Sequence, residues 1–234
     1  NGGSASSTTV LSGGVVSVMS SGVARKTSAL DSGTVEVCKG GFASETYLSN
    51  GAGLYVYSGG SAKDITNSGG YTHISSSGHV EDVTVISSGL LVCYGSLNSL
   101  TIYDGARATI SGTLSDAWIG ENASVYVRSG GLIYNTQMVD NGSMTINSAT
   151  ICGTLYIENE NLLLDSGACV DFTVADYSSA GATVFTDNFS RIQGTSNALY
   201  IITVNDDQNY GAYTLAKDVQ SFTSDPVCVR DPSG

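Results

Sequence analysis

The side chains able to do chemistry in this chain are few and widely spread. Glu45, Asp64 and Asp82 recur at nearly equal intervals, in a series that also holds Lys26, Ser99, Asp116 and Asn135. If those intervals correspond to stacked strands, neighbouring members lie about 5 Å apart. Like charges that close repel, and a bound cation would relieve them. Three readings follow: a solvated edge that discourages aggregation, a cation site, or the carboxylates of a polysaccharide-cleaving surface. Cleavage would call for Arg or Lys beside the acids, and only Lys63 is near. No nucleophile–base–acid arrangement is visible, so no catalytic residue is assigned.

The other reactive groups are also dispersed. His73 and His79 lie six residues apart, the first outward on a strand and the second after a turn, with no further ligands close enough for a metal. Cys38, Cys93, Cys152, Cys169 and Cys228 contain no CxxC pair, so neither a zinc site nor a dense disulfide framework is expected. Cys93 should point inward as a small apolar filler. Cys38 and Cys93 fall too far apart for a bridge, and Cys152 and Cys169 approach bridging distance with a one-position offset that opposes it. No metal or cofactor is expected. Outward aromatics fall into two columns, Tyr55 with Tyr126 and Tyr47 with Trp118. They are either sheet-surface residues or rings for stacking sugars.

These residues must be positioned by a repeat. A Gly-centred turn recurs at Gly3, Gly22, Gly41, Gly60, Gly78, Gly95, Gly112, Gly131, Ala149 and Gly167. A second interleaves at Gly14, Gly33, Gly51, Gly70, Gly89, Gly105, Asn122 and Gly142. After the first turn, inward residues fall at the second, fifth and seventh positions, as in Val80, Val83 and Val85. After the second they fall two apart, as in Leu91 and Cys93. Spacing of two with β-branched residues is a strand signal. Strands this short cannot bury a face alone, so coil must stack on coil and like residues form ladders. Gly60 and Gly70 are expected to supply positive φ at the turns.

The expected fold is therefore all-β: a parallel β-helix, or β-solenoid, of about nine coils over residues 1–167. Residues 168–234 read as a β-rich C-terminal cap or the start of a further module. Their strand-like runs are Val170–Val174, Ala198–Val204, Tyr213–Ala216 and Val227–Val229. A hexapeptide left-handed helix would need an aliphatic residue every six, which is absent. A calcium roll would need Asp after the turn glycines, where SGGVVSV and SGGYTHI carry apolar or aromatic residues.

Composition agrees. The 234 residues hold 29 Gly, 2 Pro, 13% charged and 41% hydrophobic residues, which excludes collagen and disorder. No apolar run spans a bilayer. The net charge of −12 repels nucleic acid and anionic headgroups. With no initiator Met, the chain reads as a piece of something longer.

The pattern GGxAxxTxV followed by GGxxxV resembles the AIDA-type repeats of bacterial autotransporter adhesins. The clearest copies are GGSASSTTVLSGGVVSV, SGVARKTSALDSGTVEV and SGGSAKDITNSGGYTHI, at residues 2–18, 21–37 and 58–74. The stretch ALYIITVNDDQNYGAYTLAKDVQSF (198–222) is similar to a β-rich module that accompanies such repeats. The resemblance implies right-handed coiling and a secreted, surface-displayed passenger at the bacterial outer membrane. It also implies a non-enzymatic role in adhesion or aggregation through host or bacterial glycans or proteins, or through self-association. Several members carry heptose on repeat serines. The matching candidates for O-glycosylation are Ser12, Ser21, Ser32, Ser58, Ser68, Ser77, Ser88, Ser111 and Ser129, whose plainer role is turn chemistry. Five Cys and the lack of a membrane-barrel segment depart from the family. A carbohydrate-active β-helix enzyme and a stalk presenting another domain remain the alternatives.

Overall fold

The protein is described here from a computed structural model, covering residues 2–160, 162–174, 183–204, 211–219 and 228–230. Each regular coil contributes one long and one short strand, as in Ser61–Ser68 followed by Tyr71–Ile74. Long strands stack into a 13-stranded sheet and short strands into a 10-stranded sheet, with parallel pairing throughout. The result is a parallel β-solenoid of about nine turns. Among the described residues no helix is long and apolar enough to cross a membrane, which says nothing of a β-barrel.

The core lies between the two sheets and is built from columns. Val83 pairs in register with Ile65 on one side and Leu100 on the other, and Leu100 with Ala117. All four are at most 4% exposed. The expected inward positions are buried along both strand types, Val16 alone being partly buried at the N-terminal end. Several core positions are polar, among them Thr27, Thr46, Asn67, Thr72 and Thr136. Asn67 donates to the Thr72 hydroxyl and the Leu90 carbonyl, and its Oδ1 accepts the Gly70 N–H. With all these partners made, its burial carries no unpaired-group penalty.

The long strand is not continuous β structure. Along Ser61–Ser68 the inward residues are Ala62, Ile65 and Asn67, so Lys63 and Asp64 both face outward. Asp64 has φ of 55°, in the left-handed region that bends the strand and adds one residue to the alternation. The same geometry recurs at Lys26, Glu45, Asp82, Ser99, Asp116 and Asn135, and ends at Gly153.

The turns differ from expectation by one residue. Positive φ belongs to Gly59 and Gly69, at 76° and 77°, and not to Gly60 and Gly70. The second glycine of each pair has a separate reason. A Cβ on Gly60 would drive into the Val37 carbonyl oxygen of the preceding coil, and one on Gly70 would meet the Ala52 oxygen at 2.8 Å. Close coil-to-coil approach, not dihedral freedom, excludes a side chain there.

Successive turns also bond to each other. At one corner the N–H groups of Ser88, Gly105 and Asn122 donate to the carbonyls of Asp104, Glu121 and Asp140. At Asn141 the acceptor becomes the Glu160 side chain, 2.9 Å away, which also takes the Asn159 N–H at 2.7 Å. Glu160 is buried. Burial pushes its carboxyl pKa upward, but the backbone N–H donors prevail and hold it below its ordinary value.

Stacking continues past Gly167. Cys169–Thr173 pairs with Thr150–Ile157, and Leu199–Thr203 pairs with Cys169–Thr173. The interval between partners lengthens from 19 residues (Thr150 to Cys169) to 30 (Cys169 to Leu199). The added length includes Thr183–Thr186, paired with Thr214–Ala216 in a separate small sheet. Phe172 packs edge-on against Phe185 and stacked on Tyr200, which in turn contacts Phe189. Val227 and residues 205–210 and 220–222 of the C-terminal stretch lie outside the described residues.

Candidate functional site

The acidic column has a backbone origin. Its members are the residues in the left-handed region of each long strand, where Asp and Asn are favoured because their short polar side chains bond locally. Asp64 and Asp82 border a shallow groove with Thr66, Thr84, Ser99 and Thr101. The groove continues past Asp116, Trp118, Asn135 and Tyr156. Repulsion along the column is relieved by neighbouring side chains. Lys63 lies 3.4 Å from Asp82 and 3.2 Å from Glu81, and Asn135 donates to Asp116 at 3.0 Å. Glu81, adjacent to the column in sequence and in register with Lys63, escaped the sequence reading. Hydrogen bonds from His79 and then Lys63 hold its carboxyl below the usual range. Among the described residues no group of three or more His, Cys, Asp or Glu is placed to hold a metal ion.

The two histidines serve different faces. His79 bonds Glu81 at 3.2 Å on the long-strand sheet, while His73 sits among tyrosines on the short-strand sheet. Of the four aromatics singled out from sequence, Tyr47 and Tyr126 are exposed. Trp118 lies over Gly120, whose Cβ would meet the ring at 2.6 Å, and meets Tyr103 edge-on. Tyr55 alone belongs to a cluster. Its ring centroid lies 6.5 Å from Tyr57, 5.8 Å from Tyr71 and 6.2 Å from His73. His73 in turn lies 5.7 Å from Tyr94. Tyr57 donates to Glu36 at 3.3 Å, and Ser17 donates to the same carboxylate. Burial raises the Tyr57 phenol, with Glu36 adding to it. Burial also raises the Tyr71 phenol, with Tyr55 and Tyr94 adding less. The sequence reading missed Tyr57, Tyr71, His73 and Tyr94 as a group because they occupy three different columns. Stacking three successive coils was the signal that could have joined them.

Seven of the nine turn serines are exposed, Ser68 and Ser111 being half-buried. Ser21, Ser32, Ser77 and Ser88 are themselves the positive-φ residues of their turns. Among the described residues none of the nine hydroxyls bonds to another protein group. The local bonding expected of turn serines is therefore not what these hydroxyls do.

Among the described residues no two cysteines form a disulfide. Thr150 pairs with Cys169 and Cys152 with Asp171, so the two thiols are offset by two positions along adjacent strands. That offset, not opposite facing, separates them. Cys93 points inward, and burial pushes its thiol up to about 11.

Among solved structures the chain is similar to a hyper-glycosylated TibA fragment whose glycosylation TibC catalyses. Identity is 24% and the TM-score 0.58, over all of this chain and 84% of that one. That likeness shows the fold. No family model matches the chain, and no curated protein matches it.

Proposed function

We propose that the chain is a non-enzymatic β-solenoid passenger of a bacterial surface protein, secreted and displayed outside the cell, where it serves adhesion or self-association. Residues 1–167 form the repeat rod, and residues 168–234 a β-rich cap or the start of a further module, a reading supported by the aromatic packing of Phe172, Phe185, Phe189 and Tyr200. The observation that carries this reading is the row of exposed turn serines with unbonded hydroxyls along a rod of uniform coils. The TibA fragment, similar in fold, is itself hyper-glycosylated. O-linked heptose on Ser21, Ser32, Ser77 and Ser88 fits this arrangement, since each hydroxyl stands clear at a corner. The acidic column supports the non-enzymatic reading, because the left-handed backbone accounts for its residue types without a substrate.

The test is display of the chain on a non-adherent bacterium with and without a co-expressed heptosyltransferase. Faster settling or greater attachment to host cells is the expected result. Intact mass should rise by whole heptose units and fall back when the four serines become Ala. No change in settling or attachment would refute adhesion. Cleavage of polygalacturonate or alginate that disappears in Asp64→Ala would replace it with the enzyme reading.

A further inference from the structure

The outer side of the short-strand sheet is uneven. In one column Glu36, Tyr55, His73, Val92 and Thr109 follow each other in register. Tyr71 lies in the neighbouring column, and Tyr57 and Tyr94 extend from the turns that follow their strands. Five rings thus gather within three successive coils, at centroid separations of 5.7 to 6.5 Å. The same column farther along holds Thr109, Tyr126 and Thr145, and no second cluster forms there among the described residues.

We propose that Tyr55, Tyr57, Tyr71, His73 and Tyr94 form a platform that binds an uncharged glycan, with sugar rings stacked on the aromatic faces. The inference deepens the adhesin reading and rests on it by naming one contact surface and its ligand class.

Four features select that ligand. The sheet is made of four-residue strands in unbroken parallel register, so the rings lie across an open face. An open face fits a flat sugar ring, whereas a quaternary ammonium group needs aromatic walls on several sides. Charge argues next. The carboxylate of Glu36 borders the rings and accepts from Tyr57 and Ser17. In a chain of net charge −12, this face repels uronate or sialylated polymers. Pre-positioning is the third feature. Gly53 leaves the sheet bare beneath Tyr55, where a Cβ would meet the ring at 2.9 Å, so the ring is laid down before any ligand arrives and loses little freedom on binding. The last is polarity at the edges. The phenols of Tyr57 and Tyr94, both exposed, rim the patch and can donate to or accept from sugar hydroxyls.

The column itself supplies benign substitutions. Tyr57→Ser and Tyr94→Ser install the residue that Ser75 and Ser111 already provide at the equivalent turn position, and His73→Thr copies Thr109. Purified chain is run in native gels containing galactomannan, xyloglucan or mixed-linkage β-glucan, with polygalacturonate as the anionic probe. At least one neutral polymer should retard the chain, with retardation lost in the triple variant and kept in Tyr47→Ala, which removes an exposed ring from the other sheet. Unchanged circular dichroism and melting temperature would show the variants folded. Retardation by no neutral polymer, by polygalacturonate alone, or equally in the triple variant would overturn the platform. Cell attachment that needs the cluster but survives periodate oxidation of host glycans would assign the face to a protein partner and also overturn it. The gel measurements need no displaying cell, so their failure is distinct from failure of the adhesion assay.

Discussion

Residues 2–160 and the described residues between 162 and 230 solve the same stacking problem with different material. In the first region coils pair in register, with a single shift between Leu132–Met138 and Thr150–Ile157, and the columns are aliphatic or small: Ile65, Val83, Leu100, Ala117. In the second, strands still pair in parallel, but Leu199–Thr203 lies 30 residues beyond its partner Cys169–Thr173 and the filler is aromatic: Phe172, Phe185, Phe189 and Tyr200. Glu160 stands at the junction, where a side chain replaces the next turn's carbonyl. The difference teaches that a sequence period and a stacked coil are separable. A ladder of small residues needs a strict period, because every column must be filled at each level. Large rings span several positions, so the coil can lengthen and the repeat can vanish while the strands continue to pair.

The strongest way to break this comparison is Val83→Asp. An unpaired carboxylate among Ile65 and Leu100 should destabilise the rod by about 4 kcal/mol, seen in denaturant melts. An unchanged melt would refute the column packing. Phe172→Ala removes the ring shared by Phe185 and Tyr200 and should cost about 3–5 kcal/mol. Hydrogen exchange should place that loss in residues 162–204, leaving the aliphatic coils protected. Uniform loss of protection would mean the two regions unfold as one.

Glu160→Ala tests the junction. It strands the Asn141 and Asn159 N–H groups and should cost about 2–3 kcal/mol. The pH dependence has a defined sign. The folded carboxyl is depressed below its unfolded value of about 4.3, so its stabilisation is present above that pH and is lost as pH falls through the folded value. Melting temperature should fall more steeply between pH 5 and pH 3, by order-of-magnitude reckoning from the linkage relation, in the parent than in Glu160→Ala.

Smaller effects separate the two glycines of one turn. Gly60→Ala should cost about 2 kcal/mol by forcing Val37 away. Gly59→Asn should cost less than about 1 kcal/mol, because Asn tolerates positive φ. Equal losses would refute the division of labour. Least in energy, and clearest in readout, is thiol reactivity. Near pH 8 a soluble alkylating reagent should label exposed Cys228 promptly and leave Cys93 untouched until unfolding, since burial raises its pKa to about 11. Early labelling of Cys93 would move it out of the core.

Period and inward spacing made the solenoid legible from sequence, because burial in a stacked coil demands an apolar residue at the same place in each turn. The step of three between Val80 and Val83 already held the bend in the long strand. It went unread because a left-handed residue is marked by backbone conformation, and Lys26, Glu45 and Ser99 interrupt the Asp and Asn that such a position favours. The same was true of Gly59 and Gly60. Composition shows that glycine is required, and only the approach of the Val37 carbonyl shows which glycine is required for space. The aromatic platform and the Glu160 junction were decided wholly by tertiary structure. Tyr55, Tyr57 and Tyr71 come from different columns, and the Glu160 carboxylate meets the Asn141 N–H 19 residues away. Such contacts depend on how far each side chain reaches across neighbouring coils, which the repeat does not encode.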